Sequence, residues 1–162
     1  MIRRSQLAVA ILAGVAGCAT SPVVLRSTGA GAVAFGASLA ETELMVGAKA
    51  SGPSTDTACR YVEFSSLPGL RFTVENGLIT RGDAGPGVRN TLGVQLGDTT
   101  DSVVALYPDV TVLRNRESAG GTYLVVADSD GRHAIVMQAA GNKIIGIRAG
   151  LSASVGSPQG CP

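Results

Sequence analysis

The chain has 162 residues, with 13 basic and 12 acidic side chains, one histidine, no tryptophan, and only three Tyr and three Phe. A near-neutral balance argues against nucleic acid or an anionic membrane surface as the main partner, since both require a basic excess, and so few aromatic rings leave little for base stacking. The length suits one domain with a real core, or two small modules sharing one.

Residues 1–17 read as a leader. In MIRRSQLAVAILAGVAGC, Arg3 and Arg4 precede an apolar run from Leu7 to Val15, which ends in Val15-Ala16-Gly17-Cys18. These are the parts of an export signal. The run is about half of the roughly 20 residues that a spanning helix needs, so no permanent span is expected. The Val-Ala-Gly-Cys end resembles a bacterial lipobox. That resemblance implies cleavage before Cys18, a diacylglycerol on its sulfur and a further acyl chain on the new amine, enough for lasting attachment to the membrane. It also implies, through Ala19 in place of Asp, sorting to the outer membrane with the domain facing the periplasm. A plainer alternative is an ordinary secretory signal that happens to end at a cysteine.

With Cys18 acylated, Cys59 and Cys161 are left in an oxidising compartment and are expected to pair. Metal binding by two free thiols is the alternative, and neither a nearby His nor CxxC spacing supports it.

Residues 18–31 are small and poorly periodic, which suits a tether, with Val23 to Leu25 able to form a short strand. Gly29, Gly31 and Ala34 spell G-x-G-x-x-A. A dinucleotide fingerprint needs a helix that starts at the glycines and an acid at the end of a second parallel strand. Here the helix signal starts later, at Ser38, and no cofactor is expected.

Residues 32–85 and 86–150 read as two tandem repeats, each a short strand, one helix and a three-stranded antiparallel meander, giving an α+β fold. The first opens with Val33 to Phe35. Ser38 and Glu41 then form a capping box for a helix that runs to about Val46 and is stopped by Gly47. The second opens with Val94 to Leu96; Asp98 or Thr99 caps the helix, Asp101 complements its dipole, and Pro108 ends it after Tyr107. The predicted meander strands are Cys59 to Phe64, Leu70 to Val74 and Leu78 to Arg81, then Tyr123 to Ala127, His133 to Gln138 and Lys143 to Ala149. Asn76-Gly77 between apolar runs is a strong hairpin signal because both residues tolerate positive φ. Residues 151–162 are a C-terminal tail carrying Cys161.

A glycine, a helix cap, a short helix and a meander in tandem resemble the fold of the β-lactamase-inhibitor proteins and of the small outer-membrane assembly lipoproteins of the SmpA/OmlA type. PGVRNTLGVQLGDTTDSVVALYP, followed by GGTYLVV and a terminal Gly-Cys, is also similar to an uncharacterised domain of exported proteobacterial proteins.

Catalytic constellations are sparse. His133 alternates in phase with Ile135 and Met137, as a half-buried strand residue would, and no G-x-S-x-G frames a serine. Asp128 and Asp130 in DSDG resemble the start of a calcium loop, but the place of its bidentate Glu holds Met137, and a hairpin turn explains the acids. Arg81-Gly82-Asp83 reads as a strand end. Glu41 and Glu43, two apart on a helix, point to different faces. No enzyme activity, metal or cofactor is expected.

Alternation along the strands predicts a core of Leu39, Phe64, Leu70, Phe72, Val74, Val103, Leu106, Leu124, Val126, Ile135 and Ile147. The opposite face should present Tyr61, Glu63, Arg71, Thr73, Tyr123 and Arg148, and Tyr and Arg are interface-type residues. The expectation is therefore a non-enzymatic, lipid-anchored envelope protein that binds an envelope protein or glycan through an open sheet, around Tyr61, Arg71, Tyr123 and Arg148. A secreted inhibitor-like or carbohydrate-binding module is the alternative.

Overall fold

The computed structural model describes residues 22–52, 58–114, 121–158 and 160–161. The leader, Cys18 and the first part of the expected tether lie outside these residues. The fold is mixed α+β, built on two sheets. The smaller has the order β3-β2-β1-β7, from Val33–Ala34, Gly29–Ala30, Val24–Arg26 and Arg89–Asn90. Residues 24–30, expected in the tether, thus belong to the fold, and Leu25 is fully buried. Gly29 lies in β2, paired with Arg26 and Ala34, and Gly31 in the turn to β3, so neither stands at a helix start.

The larger sheet is seven-stranded and antiparallel, in the order β4-β5-β6-β11-β10-β9-β8. Its strands are β4 (Cys59–Val62), β5 (Leu70–Glu75), β6 (Leu78–Ala84), β8 (Thr111–Arg114), β9 (Gly121–Ala127), β10 (His133–Ala140) and β11 (Lys143–Leu151). The edge strand β8 was not expected. All four of its residues are exposed, so burial imposes no alternation that could reveal it. Val94 to Leu96, expected as a strand, is irregular.

Helix α1 (Leu39–Val46) starts and stops where the sequence indicates. Ser38 Oγ accepts from the Glu41 amide, Glu41 reaches back to the Ser38 amide, and Gly47 ends the helix at φ 72°. Those hydrogen bonds to Ser38 lower the pKa of Glu41. The carboxylate's contribution is therefore present at neutral pH and lost as pH falls through its lowered pKa. Ser38→Ala is expected to cost about 1 kcal/mol in a urea titration. Helix α2 (Thr100–Leu106) is capped by Thr99, with Asp101 in its first turn.

Both helix starts hang on a hairpin in the same manner. The Gly36 amide donates to Ile79 O (2.7 Å) and the Ile79 amide to Ala37 O (2.9 Å). In the second half, the Gly97 amide donates to Ile144 O (2.8 Å) and the Ile144 amide to Asp98 O (2.9 Å).

One hydrophobic cluster fills the space between the inner face of the large sheet and a layer made of the small sheet and both helices. Phe64 and Phe72 meet edge to face at 5.9 Å. Of the expected core, Leu106 is a correction: it is 68% exposed. Pro108 stops α2 after two turns, and Tyr107, whose hydroxyl donates to Leu92 O at 2.7 Å, packs against the cluster instead. Val126 is only half-buried at its edge.

Candidate functional site

The side chains expected to form an open face do share the outer face of the large sheet. The register pairs Tyr61 with Thr73, Arg71 with Asp83, Asp83 with Arg148, and Tyr123 with Gln138. They gather as two cation–π pairs: the Arg71 guanidinium lies 4.8 Å from the Tyr61 ring centroid, and that of Arg148 lies 5.1 Å from the Tyr123 centroid.

Part of that face is covered, however, by the segment expected to be a tail. After β11 the chain forms one helical turn, α3 (Ser152–Val155), which seats Val155 against Ala134, Val136, Tyr123 and Val125. It then crosses the sheet to β4, where Cys161 is bonded to Cys59 with Cα atoms 5.4 Å apart. Along the way Arg148 Nε donates to Val155 O (2.7 Å), Arg81 Nη1 to Ser157 O (2.8 Å), Ser154 Oγ to Glu75 (2.5 Å), and the Cys161 amide to the Tyr61 hydroxyl (3.0 Å). Arg148 is consequently only 3% exposed, and Arg81 is buried beside Asp83 (2.5 Å). Burial, and then the charge of Arg81, lower the pKa of Arg148, with Asp83 and Tyr123 opposing. Of the four residues expected to form the site, Arg71 alone is exposed and Tyr61 and Tyr123 are half-buried; Thr73, also expected on the open face, is fully buried.

The path spans three strand spacings, from β11 past β6 and β5 to β4, about 14 Å at 4.8 Å each. Small, aperiodic residues in SASVGSPQG hid the path.

At the turn between β9 and β10, Asp128, Asp130 and His133 each bring a ligand-type atom within 4.8 Å of the others. The turn uses the Asp130 carboxylate and the Asp128 backbone. The Asp128 amide donates to His133 O (2.9 Å), while Asp130 accepts from the Arg132 amide (2.9 Å) and Nε (2.6 Å). The Arg132 amide and then its side chain, as donors, lower the pKa of Asp130.

A separate pocket of about 460 Å³ lies at the seam between the two sheets. Strand β6 ends at Ala84, opposite Ile147, and the chain turns away through Gly85-Pro86-Gly87 into β7, which pairs in parallel with β1. The pocket is the gap so created, walled by Val24, Val88, Val94, Leu96 and Ile147. Buried Asn90 holds the far wall: its Nδ2 donates to Val94 O (2.7 Å) and its Oδ1 accepts from the Leu92 amide (3.0 Å). Sequence reading missed this site because its walls come from three separate stretches, Val24, residues 84–96 and Ile147.

Among the described residues no helix is long and apolar enough to cross a membrane. Comparison of the chain with protein-family models, with curated proteins and with solved structures finds no match.

Proposed function

We propose that the chain is a non-enzymatic, lipid-anchored protein of the cell envelope, held at the outer membrane by Cys18 with its domain facing the periplasm, and that it acts by binding an envelope protein or glycan. The observation that carries this reading is the cysteine arrangement. Cys59 and Cys161 are bonded to each other, and the third cysteine of the chain is the one in Val-Ala-Gly-Cys. Disulfides persist outside the reducing cytosol. Mass spectrometry of protein from the membrane fraction is expected to give a mature N-terminus at Cys18 carrying acyl mass. An uncut leader, or an unmodified Cys18, would overturn the anchor.

We further infer that the two halves arose by duplication. The β5–β6 ladder slips between Thr73 and Val74, and the β10–β11 ladder slips between Gln138 and Ala139, the corresponding places in each hairpin. The matching bonds at Ile79 and Ile144 support the same correspondence. Pairing of β6 with β11 then joins the copies about a local two-fold near Asp83 and Arg148.

This duplicated arrangement favours, as a second reading, an inhibitor-like or carbohydrate-binding module, the class implied by the likeness to the β-lactamase-inhibitor fold. Arg71 stacked on Tyr61 is the exposed part of the expected face and the place for a partner. Crosslinking in intact membranes followed by pull-down, with Arg71→Glu as control, separates the readings from glycan-array binding. The envelope reading expects crosslinks that this substitution removes.

A further inference from the structure

The seam pocket has the size of a small-molecule site; such sites run from about 300 to 1,000 Å³. Its walls are already held in place. Ile147 is paired to Ala84, Val24 to Arg89, and the Leu92–Val94 turn is clamped by Asn90, so a ligand would not have to order them. Its side chains are mainly aliphatic, and the amide of Asn90 is spent on the protein's own backbone. Among the described lining residues one is charged, Arg89, and it is exposed; none is acidic.

That combination selects for chemistry. A cationic ligand meets a guanidinium, and a neutral apolar one makes no use of it. A small polar anion, in turn, gains nothing from Val24, Val94, Leu96 and Ile147. We propose that the pocket binds a single-chain amphiphile with a carboxylate head, a fatty acid, its chain between the sheets and its head at Arg89. Access fits as well. Val24 stands six residues after Cys18, a span of at most about 22 Å of extended chain, so on the anchored reading the mouth stays near the bilayer where such molecules reside. Only this last point rests on the anchor; the chemistry of the pocket does not.

The test uses the mature chain, residues 18–162 without the leader, carrying Cys18→Ser, so that it bears neither the apolar leader nor an acyl chain. It is titrated with the fluorescent probe dansyl-undecanoic acid below its micelle concentration, then competed with dodecanoate, dodecanol and dodecylamine. Saturable single-site binding is expected, with displacement strongest for dodecanoate and weakest for dodecylamine. Arg89→Glu is expected to weaken dodecanoate roughly tenfold, the order of losing and then reversing one exposed ion pair, and to leave dodecanol unchanged. Leu96→Trp, which fills the pocket, is expected to abolish binding. Thermal unfolding checks that each variant folds, and if Leu96→Trp does not, exposed Arg89→Glu decides. Absence of saturable binding, displacement by the amine as good as by the acid, or an unchanged affinity in folded Arg89→Glu overturns the proposal. The acyl mass on Cys18 is measured separately, so either reading can fail without the other.

Discussion

Replacing Cys161 with serine is expected to lower the free energy of unfolding by about 4 kcal/mol. The bond to Cys59 spans 102 residues of sequence, and a closed loop of that size removes about 4.7 kcal/mol of chain entropy from the unfolded state in the simplest treatment. In this protein the loss should also have a local part. Without the bond, the crossing segment is held by Arg148 to Val155 O, Arg81 to Ser157 O and Ser154 to Glu75, and by the packing of Val155. Peeling it away leaves two buried guanidiniums facing water, which is tolerable, so the segment should open before the sheet does. Hydrogen exchange is then expected to accelerate at residues 152–158 well ahead of β10 and β11. Chemical denaturation measures the global term, and the double variant with Cys59→Ser should be no worse than either single one, because the bond can be lost only once. A loss below about 1 kcal/mol would mean that the cross-link adds little to this fold.

Gly150→Ala is expected to be comparably damaging, by about 3 kcal/mol or more, the upper range for overpacking with no room to relax. Gly150 lies in β11 opposite Arg81, at the line where the two hairpins meet. A Cβ there would stand 2.2 Å from Thr80 O and 2.8 Å from Arg81 Cα, and its φ of 155° is one that L side chains rarely adopt. Both obstructing atoms are backbone, so relief requires β6 and β11 to separate. Gly146, in the same strand, is the control: its Cβ would meet Gln138 Cβ at an ordinary 3.7 Å, and Gly146→Ala should change stability by no more than about 1 kcal/mol. Urea titration of both variants tests the register. Equal effects would mean that the strands do not approach at Gly150 as described.

Local chemistry was legible without the fold. Ser38, Glu41 and Gly47 bound α1 through contacts within a few residues, Thr99 and Pro108 do the same for α2, and Asn76-Gly77 turns β5 into β6. Such features depend on backbone groups close in sequence, so tertiary context has little power to overrule them. The pairing of Cys59 with Cys161 was legible for another reason, a count of thiols in an oxidising setting. Alternation placed Phe72, Val74, Leu124 and Ile135 on the inner face, because residues two apart on a strand point to the same side.

What tertiary structure alone decided is how those pieces share space. Residues 24–30 lie in the stretch expected as a tether, with a short strand allowed at Val23 to Leu25, yet they form β1 and β2 with Leu25 and Ala30 buried, and β7, some sixty residues later, pairs with β1. Leu106 looks like core, yet it is exposed because the chain turns at Pro108 and Tyr107 takes the contact. Arg148 sits on the expected face, but the crossing of residues 152–158 buries it. The seam pocket exists because β6 ends before β11 does, a difference in strand length that no local pattern records. Helix starts, hairpin turns and the joined sulfurs are each settled by near neighbours in the chain or by simple counting. Which surfaces are covered and which stay open was decided by contacts between distant segments, whose free energy depends on all of them being in place together.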